Sequence, residues 1–528
     1  MTEKQESFVR VQKIIADNGS TIRYVIQIGS LSISVPIWSL LVLIVLSVVP
    51  IVTPVVSQWI VQSQPMIGDF NVALIGFKER KEAKKTITAS SVGNSLSQTI
   101  KNWLESLDRL DISVQSKFRL IKSNPIEYLV RSTEDEFSSS ITNIAHRIDA
   151  DFIIYGWLDS ASNQLFTKFY LPENYEDAME ITGYHALSEP IDFIQPLKGV
   201  NRKNLYADLK PPLQTLFHFA LATIKLSQEQ DIALDHIKES EELLREIEER
   251  KRGLNKTGLE VLYLFKGVAH SKMGNLSYEY FLVKEIKSKQ EQSESDYEEA
   301  ITHFNDAKKD FAEAEAAFKE ALKISKNQYA RAYLAWGALL YSQRVQSINK
   351  RGNEGIAEEK IDEAIAKYRK ALDAEIKHPK AYVDIKANYN LGLAITTKEN
   401  IQTSYCSKPN EEAIEALQNV ISGYDRETII DIIQQLTAKA YYQLGLLYRN
   451  CGDRKLKEAD KLQLYDDAVK EFKNSILLFS TKPEKSWQRD IWVIRFSLAN
   501  TYLQSAELGK TDMYKQAVDI YNWLQVWR

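Results

Sequence analysis

The sequence predicts a mainly α chain, with a single apolar anchor helix near the N-terminus, a small α/β segment and a C-terminal array of paired helices. Three observations predict it. A two-helix pattern recurs five times between Val261 and Arg528: a helix with Gly or Ala at a tight spot is answered by one with Ala, a large residue four positions on, and a small residue three further. The stretch Ile37 to Val56 is nearly all Leu, Ile and Val. Between them, short apolar runs alternate with stretches of helical spacing. The implied divisions are an N-terminal tail 1–36, a membrane helix 37–61, an α/β domain 70–197 and a helical repeat domain 210–528.

The clearest copy of the pair runs from Ala440 to Tyr448 with Gly445 and Gly452, and is answered by Ala468, Phe472 and Ser475. Tyr263, Gly267 and Gly274 are matched to Ala300, Phe304 and Ala307. Ala314, Phe318 and Ala321 repeat the second-helix pattern at once, which calls for an extra helical turn or one long continuous helix. Trp336, Gly337 and Leu340 pair with Ala364, Tyr368 and Ala371, and Leu391, Gly392 and Ile395 with Ala413, Leu417 and Val420. Leu498, Ala499 and Tyr502 pair with Ala517, Tyr521 and Leu524, while Phe217, Leu221, Ala233 and Ile237 suggest a weaker hairpin ahead of the rest. Small residues let two helices approach, and large ones fill the space between hairpins.

These spacings resemble the tetratricopeptide repeat (TPR). The resemblance implies an α-solenoid whose hairpins bury their apolar faces only by stacking on neighbours, and whose curved surface binds other proteins. One departure matters. The tight positions Gly337, Gly392, Gly445 and Ala499 are separated by 55, 53 and 54 residues, against about 34 in the standard repeat. The polar stretches Lys350–Lys360 and Arg454–Gln463 are the expected places for the extra residues.

Ile37 to Val56 is long enough, at about 1.5 Å per residue, to cross a hydrocarbon core of about 30 Å. Between Tyr24 and Phe70 the only charged residue is Asp69, and Trp38 and Trp59 flank the run as interfacial anchors. The run is too long and starts too deep for a cleaved leader. Lys4, Arg10, Lys13 and Arg23 precede it and no Lys or Arg follows until Lys78, so the positive-inside rule places the N-terminus in the cytoplasm and the bulk outside. Lys78, Arg80, Lys81, Lys84 and Lys85, just beyond the counting window, argue the other way. Cys406 and Cys451 do not arbitrate: they pair only if the repeats bring them together, and two thiols suit a cytosolic scaffold equally well.

In the α/β segment, Asn71–Phe77 reads as a buried strand followed by a basic looped stretch. Leu96, Ile100, Trp103, Leu104, Leu107 and Leu110 share one helical face. Ile112–Val114 and Phe118–Ile121 read as short strands, and Ile141, Ile144, Ala145 and Ile148 as a second helix. Asp151–Trp157 is a second buried strand, Gln164–Leu171 its hairpin partner and Gly183–Leu187 a further strand. A helix leading through Ala150-Asp151 into a strand that reaches Gly156 resembles the extracytoplasmic domains of the FlgO, CsgG and TolB amino-terminal type. The stretch Asn18–Ile22 with Val25–Gln27 is similar to short leaders of bacterial signalling proteins that carry such repeats. Together these resemblances imply a bacterial membrane-anchored TPR protein, with an envelope-assembly role as a further option.

No catalytic constellation is legible. The sequence has no phosphate loop, no His-Glu-x-x-His, no Cys pair at metal spacing and no nucleophile elbow. Seven scattered histidines, His270 and His303 on adjoining helices among them, read as packing or surface residues. The expectation is therefore no enzyme, no metal and no cofactor. With 67 basic against 71 acidic residues there is no general drive toward nucleic acid. The expected partner site is the surface shared by the first helices of successive hairpins: Lys439, Tyr442, Leu446, Arg449 and Asn450 in one repeat, Arg331, Leu334 and Tyr341 two repeats earlier, and Lys386, Tyr389 and Leu393 between. Cations interleaved with aromatics suit an extended acidic peptide or a chain terminus; the plainer alternative is a solvated helix face. Two functions follow: a scaffold held at the bilayer through Ile37–Val56 that recruits a protein partner, or a sensor whose α/β domain binds a small ligand and whose repeats relay that state.

Overall fold

The computed structural model describes residues 9–15, 22–28 and 31–36, parts of 70–192, and 202–526 with short gaps. The expected membrane helix 37–61 and the expected strand Ile112–Val114 lie outside the described residues, and the helix expected from Leu96 to Leu110 is described over 96–102. No helix among the described residues is long and apolar enough to cross a membrane.

The stretch expected to be a tail instead carries three strands, β1 (Val9–Ile15), β2 (Ile22–Ile28) and β3 (Leu31–Pro36), in an antiparallel meander. The reason is a period of two: Ile22, Tyr24, Ile26 and Ile28 alternate with Arg23, Val25 and Gln27, and Leu31, Ile33 and Val35 with serines. Ile28 pairs with Leu31, and Arg23 with Pro36 at the other end of the β2–β3 ladder.

A mixed sheet follows, built from β4 (Phe70–Ile75), β5 (Lys78–Lys81), β6 (Thr86–Ala89), β7 (Ser116–Ile121), β8 (Phe152–Asp159), β9 (Gln164–Leu171), β10 (Gly183–Ala186) and β11 (Ile191–Asp192). Its spine runs β10-β9-β8-β4-β7. β4 lies parallel to both β7 and β8, and β9 is antiparallel to both β8 and β10. The basic stretch after β4, expected to be a loop, forms the β5–β6 hairpin, and β5 adds alongside the end of β8. Parallel neighbours need crossovers, supplied by helical segments at 96–102 and 141–148. The Ala150-Asp151 step registers β8 on β4: the Asn71 amide donates to Asp151 Oδ2 at 2.6 Å, and the Asp151 amide returns a bond to the Asn71 carbonyl at 2.8 Å. Gly156 has no room for a side chain, since a Cβ there would lie 2.1 Å from the Phe166 carbonyl oxygen.

Both faces of the sheet are covered, and the strands read accordingly. Along β8, Phe152, Ile154 and Leu158 enter one core, while Ile153, Tyr155 and Trp157 enter another closed by Ile141, Ala145 and Ile148. The first core does not stop at the sheet. It continues from Phe169, Leu171 and Ile181 into Leu213, Phe217 and Phe265 of the helices that follow, so sheet and helices share one interior.

Those helices are α1 (Arg202–Lys225), α2 (Gln230–Arg250), α3 (Glu260–Glu291), α4 (Glu294–Ile324), α5 (Ala330–Ile348), α6 (Glu354–Lys377), α7 (Val383–Gln402), α8 (Glu411–Tyr424), α9 (Asp431–Asp453), α10 (Glu458–Ser480), α11 (Lys485–Glu507) and α12 (Asp512–Val526). They pack in consecutive pairs, and from α1 to α11 each odd-numbered helix also touches the next odd-numbered one, a repeat-like arrangement. The tight positions are where the pairs close. A Cβ on Gly337 would sit 2.5 Å from the Tyr368 ring, and one on Gly445 2.5 Å from the Phe472 ring. Gly445 meets Phe472 and Gly452 meets Tyr465, so the two helices run antiparallel.

Two expectations about this array change. Gly267 and Gly274 close on Phe318 and Phe311, and not on the Ala300–Ala307 copy; α4 is one continuous helix of 31 residues. Ring size decides the register, because each glycine notch takes an aromatic ring, while Phe304 packs farther along on Phe281. The long period arises largely within the helices. α9, α10 and α11 have 23 residues each, and the polar stretches Lys350–Lys360 and Arg454–Gln463 are largely absorbed into the starts of α6 and α10.

Candidate functional site

The residues expected to face a partner fall into two groups. Arg331 on α5 and Lys386 on α7 come together, but around the chain's own sheet. Arg331 is only 4% exposed and Lys386 2% exposed. The guanidinium donates to three carbonyl oxygens two residues apart: Nη1 to Thr182 at 2.6 Å and Glu180 at 3.4 Å, and Nη2 to Tyr184 at 3.2 Å. Lys386 Nζ donates to Thr182 Oγ1 at 2.6 Å. The turn at Glu180–Ile181 and the start of β10 bring these carbonyls to one side, where one planar, forked donor reaches all three. β10 ends the spine of the sheet, and its outer carbonyls would otherwise be an unpaired edge.

Aromatic packing completes the seam. The His185 ring stacks on Phe169 with centroids 4.6 Å apart, and both meet Phe265 of α3 edge-on. His185 Nε2 lies 2.6 Å from the Ile181 carbonyl oxygen and 3.2 Å from Arg331 Nη1. Tyr389 is buried on α7, and burial raises its hydroxyl pKa. Tyr341 bonds Thr397 Oγ1 at 2.9 Å across α5 and α7, with the Arg344 guanidinium 3.9 Å above its ring. Tyr389 is buried in a separate core with Leu417 and Leu436, and Arg331 and Lys386 belong to an internal seam and not to an open peptide groove. The sequence offered no sign of the segment they hold, which lies 149 and 204 residues away.

The second group, on α9, keeps part of its surface in solvent. Lys439, Tyr442, Arg449 and Asn450 are all half-buried. Tyr442 bonds Ser497 Oγ of α11 at 3.2 Å, Arg449 bonds the Asn450 side chain at 3.3 Å, and Asn450 reaches Asn400 of α7 at 3.0 Å.

Cys406, just ahead of α8, is bonded to Cys451 of α9, with the Cα atoms 5.2 Å apart and both residues buried beside Leu464. The repeats do bring the two cysteines together.

A charged cluster ties the first two hairpins to each other. His270 of α3 sits between Asp310 of α4, 3.0 Å from Nδ1, and Glu241 of α2, 3.3 Å from Nε2. It is neither plain packing nor surface. Lys266 bonds Glu241 at 2.8 Å and approaches Glu313 at 3.7 Å. Glu241, Leu244, Arg245, Glu248, Tyr263 and Lys266 line an adjoining cleft of about 220 Å³. Burial opposes the charge on His270, but its bonds to Asp310 and Glu241 prevail and raise its pKa above the ordinary 6.5. For Glu241, burial pushes up while His270 and Lys266 pull down more strongly, from 4.5 to about 2. A raised histidine contributes stability below 6.5 that is lost as pH rises through the raised value. A depressed carboxylate contributes above 4.5 what is lost as pH falls toward 2. The α2–α3 junction is thus expected to be tightest between those limits. Thermal melts of the wild type should weaken from pH 6 to pH 9 more than those of His270→Gln; equal slopes would contradict the assignment.

No family model matches this chain, and no curated protein matches it.

Proposed function

We propose that the chain is a membrane-anchored scaffold whose helical repeats form a TPR-like solenoid, and that the exposed part of the surface shared by its odd-numbered helices recruits a protein partner. The observation that carries the reading is the seating of residues 180–186 on α5 and α7. That surface already holds a turn and the strand start after it through cationic side chains. The equivalent surface two repeats on, with Lys439, Tyr442, Arg449 and Asn450, combines the same residue types with solvent access. Charge-assisted bonds to an acidic extended peptide or a chain terminus suit it. Tethering at Ile37–Val56 would raise the local concentration of the partner, so modest affinity suffices.

The bonded, buried Cys406 and Cys451 support an oxidising location, and the basic residues ahead of the apolar run support the same side. The reading is therefore an anchor with a cytoplasmic N-terminus and an extracytoplasmic bulk. The sensor alternative gains nothing comparable, since the cleft described above lies between α2 and α3 and not at the strand ends.

The test is photo-crosslinking in intact cells from a benzoylphenylalanine at position 442, in the wild type and in Lys439→Glu/Arg449→Glu. The double variant should lose the crosslinked partner and keep its melting temperature. Retention of the same partner at the same yield would contradict the groove.

A further inference from the structure

Two histidines that look unrelated in the sequence meet inside the first hairpin. His218 lies on α1 and His236 on α2, 5% and 4% exposed, with their Nδ1 atoms 3.0 Å apart. Glu239, one helical turn after His236, brings Oε1 to 3.3 Å from His218 Nε2, with half of its side chain in solvent. One donor atom from each residue lies within 4.8 Å of the other two. The surroundings are apolar: Phe217 meets the His218 ring edge-on, and Ala233 and Ile237 are buried alongside.

Two buried imidazoles tilted at 34° with their Nδ1 atoms opposed are costly unless something links them. A single proton can bridge two Nδ1 atoms, but it satisfies the pair only in one tautomer on each ring. A metal ion accepts both lone pairs at once. Donors held about 2.0–2.2 Å from zinc in a tetrahedron are about 3.4 Å apart, so an opening of a few tenths of an ångström suffices between the rings. Rotation of the half-exposed Glu239 side chain supplies the third donor, neutralises part of the charge and marks the entry path.

We propose that His218, His236 and Glu239 form a site for a divalent transition cation of the zinc type, which clips α1 to α2. Two imidazoles and a carboxylate suit zinc with one position open to water. The only two cysteines are bonded to each other, so no thiol of the chain competes for the ion. The site goes beyond the scaffold reading and does not depend on it: it stabilises the first hairpin, α1–α2, whatever the partner surface binds.

The test uses the full chain without a histidine tag, stripped with chelator and titrated with Zn²⁺ in competition with a chromophoric chelator, and separately with Co²⁺ followed by its visible ligand-field absorption. The wild type should take up one equivalent, show the intense band of a four-coordinate Co²⁺ site and melt at a higher temperature when loaded. Glu239→Gln, at a half-exposed position that the fold tolerates, should weaken binding by at least about 10-fold, the lower bound for loss of even an outer-shell partner. His236→Gln should abolish stoichiometric uptake. A folded wild type that takes up no equivalent, or uptake unchanged in both variants, would overturn the proposal.

Discussion

Arg331→Ala is expected to cost roughly 3 kcal/mol or more in unfolding free energy, a large fraction of the stability of an ordinary domain. The side chain is buried and holds the carbonyls of Glu180 and Thr182, in the turn leading into β10, and of Tyr184 on its open edge. Removing it strands the buried Thr182 carbonyl and the half-buried carbonyls of Glu180 and Tyr184, at about 1–3 kcal/mol for a buried orphan, although such costs do not simply add. Arg331→Lys should recover only part of the loss, because an ammonium lacks the planar fork that spans alternate carbonyls. Urea unfolding of the three proteins checks this. A difference under about 1 kcal/mol between wild type and Arg331→Ala would mean that the edge is held by other contacts.

Removal of the Cys406–Cys451 bond is expected to cost about 4 kcal/mol on the chain-entropy estimate for its sequence separation of 45 residues. The bond joins the start of α8 to α9 next to Gly452, whose notch receives Tyr465, so it pins a junction that is already closely packed. Both cysteines are buried, and mild reductant should therefore reach them slowly. The comparison is guanidinium unfolding of the wild type and Cys406→Ala/Cys451→Ala, with and without strong reductant. The variant should unfold at lower denaturant regardless of reductant, and the wild type should fall to meet it only when reduced. Coincident transitions throughout would show that the bond is not formed in the protein.

Periodicity made much of this fold legible. Glycine or alanine answered by alanine and an aromatic marks each helix pair because a helix contact needs a notch and a ring to fill it, and Gly337–Tyr368 and Gly445–Phe472 close as the spacing implies. The strands β4 and β8 were legible because both faces of the sheet are covered and nearly every residue is apolar, and β9 because buried and half-buried residues alternate along its first half. What failed was local ambiguity. In α4, two overlapping copies of one pattern compete, and only contact with Phe318 and Phe311 chooses the register. In the N-terminal meander, alternation was present but lay beside a far stronger apolar run. The candidate site was least legible. A lysine or arginine at a groove position looks the same in sequence whether it waits for a partner or holds the chain's own strand, and nothing local to Arg331 or Lys386 points to Thr182. His218 and His236 are likewise separated by a helix–helix turn and carry no recognisable metal spacing.

β10 and the turn before it are seated on the shared surface of α5 and α7, which makes sheet and repeats one body. The most direct measurement is a double-mutant cycle on Thr182→Val and Lys386→Met, scored by equilibrium unfolding. A coupling energy of about 1 kcal/mol or more is expected between two positions 204 residues apart. Additivity within about 0.3 kcal/mol would contradict it.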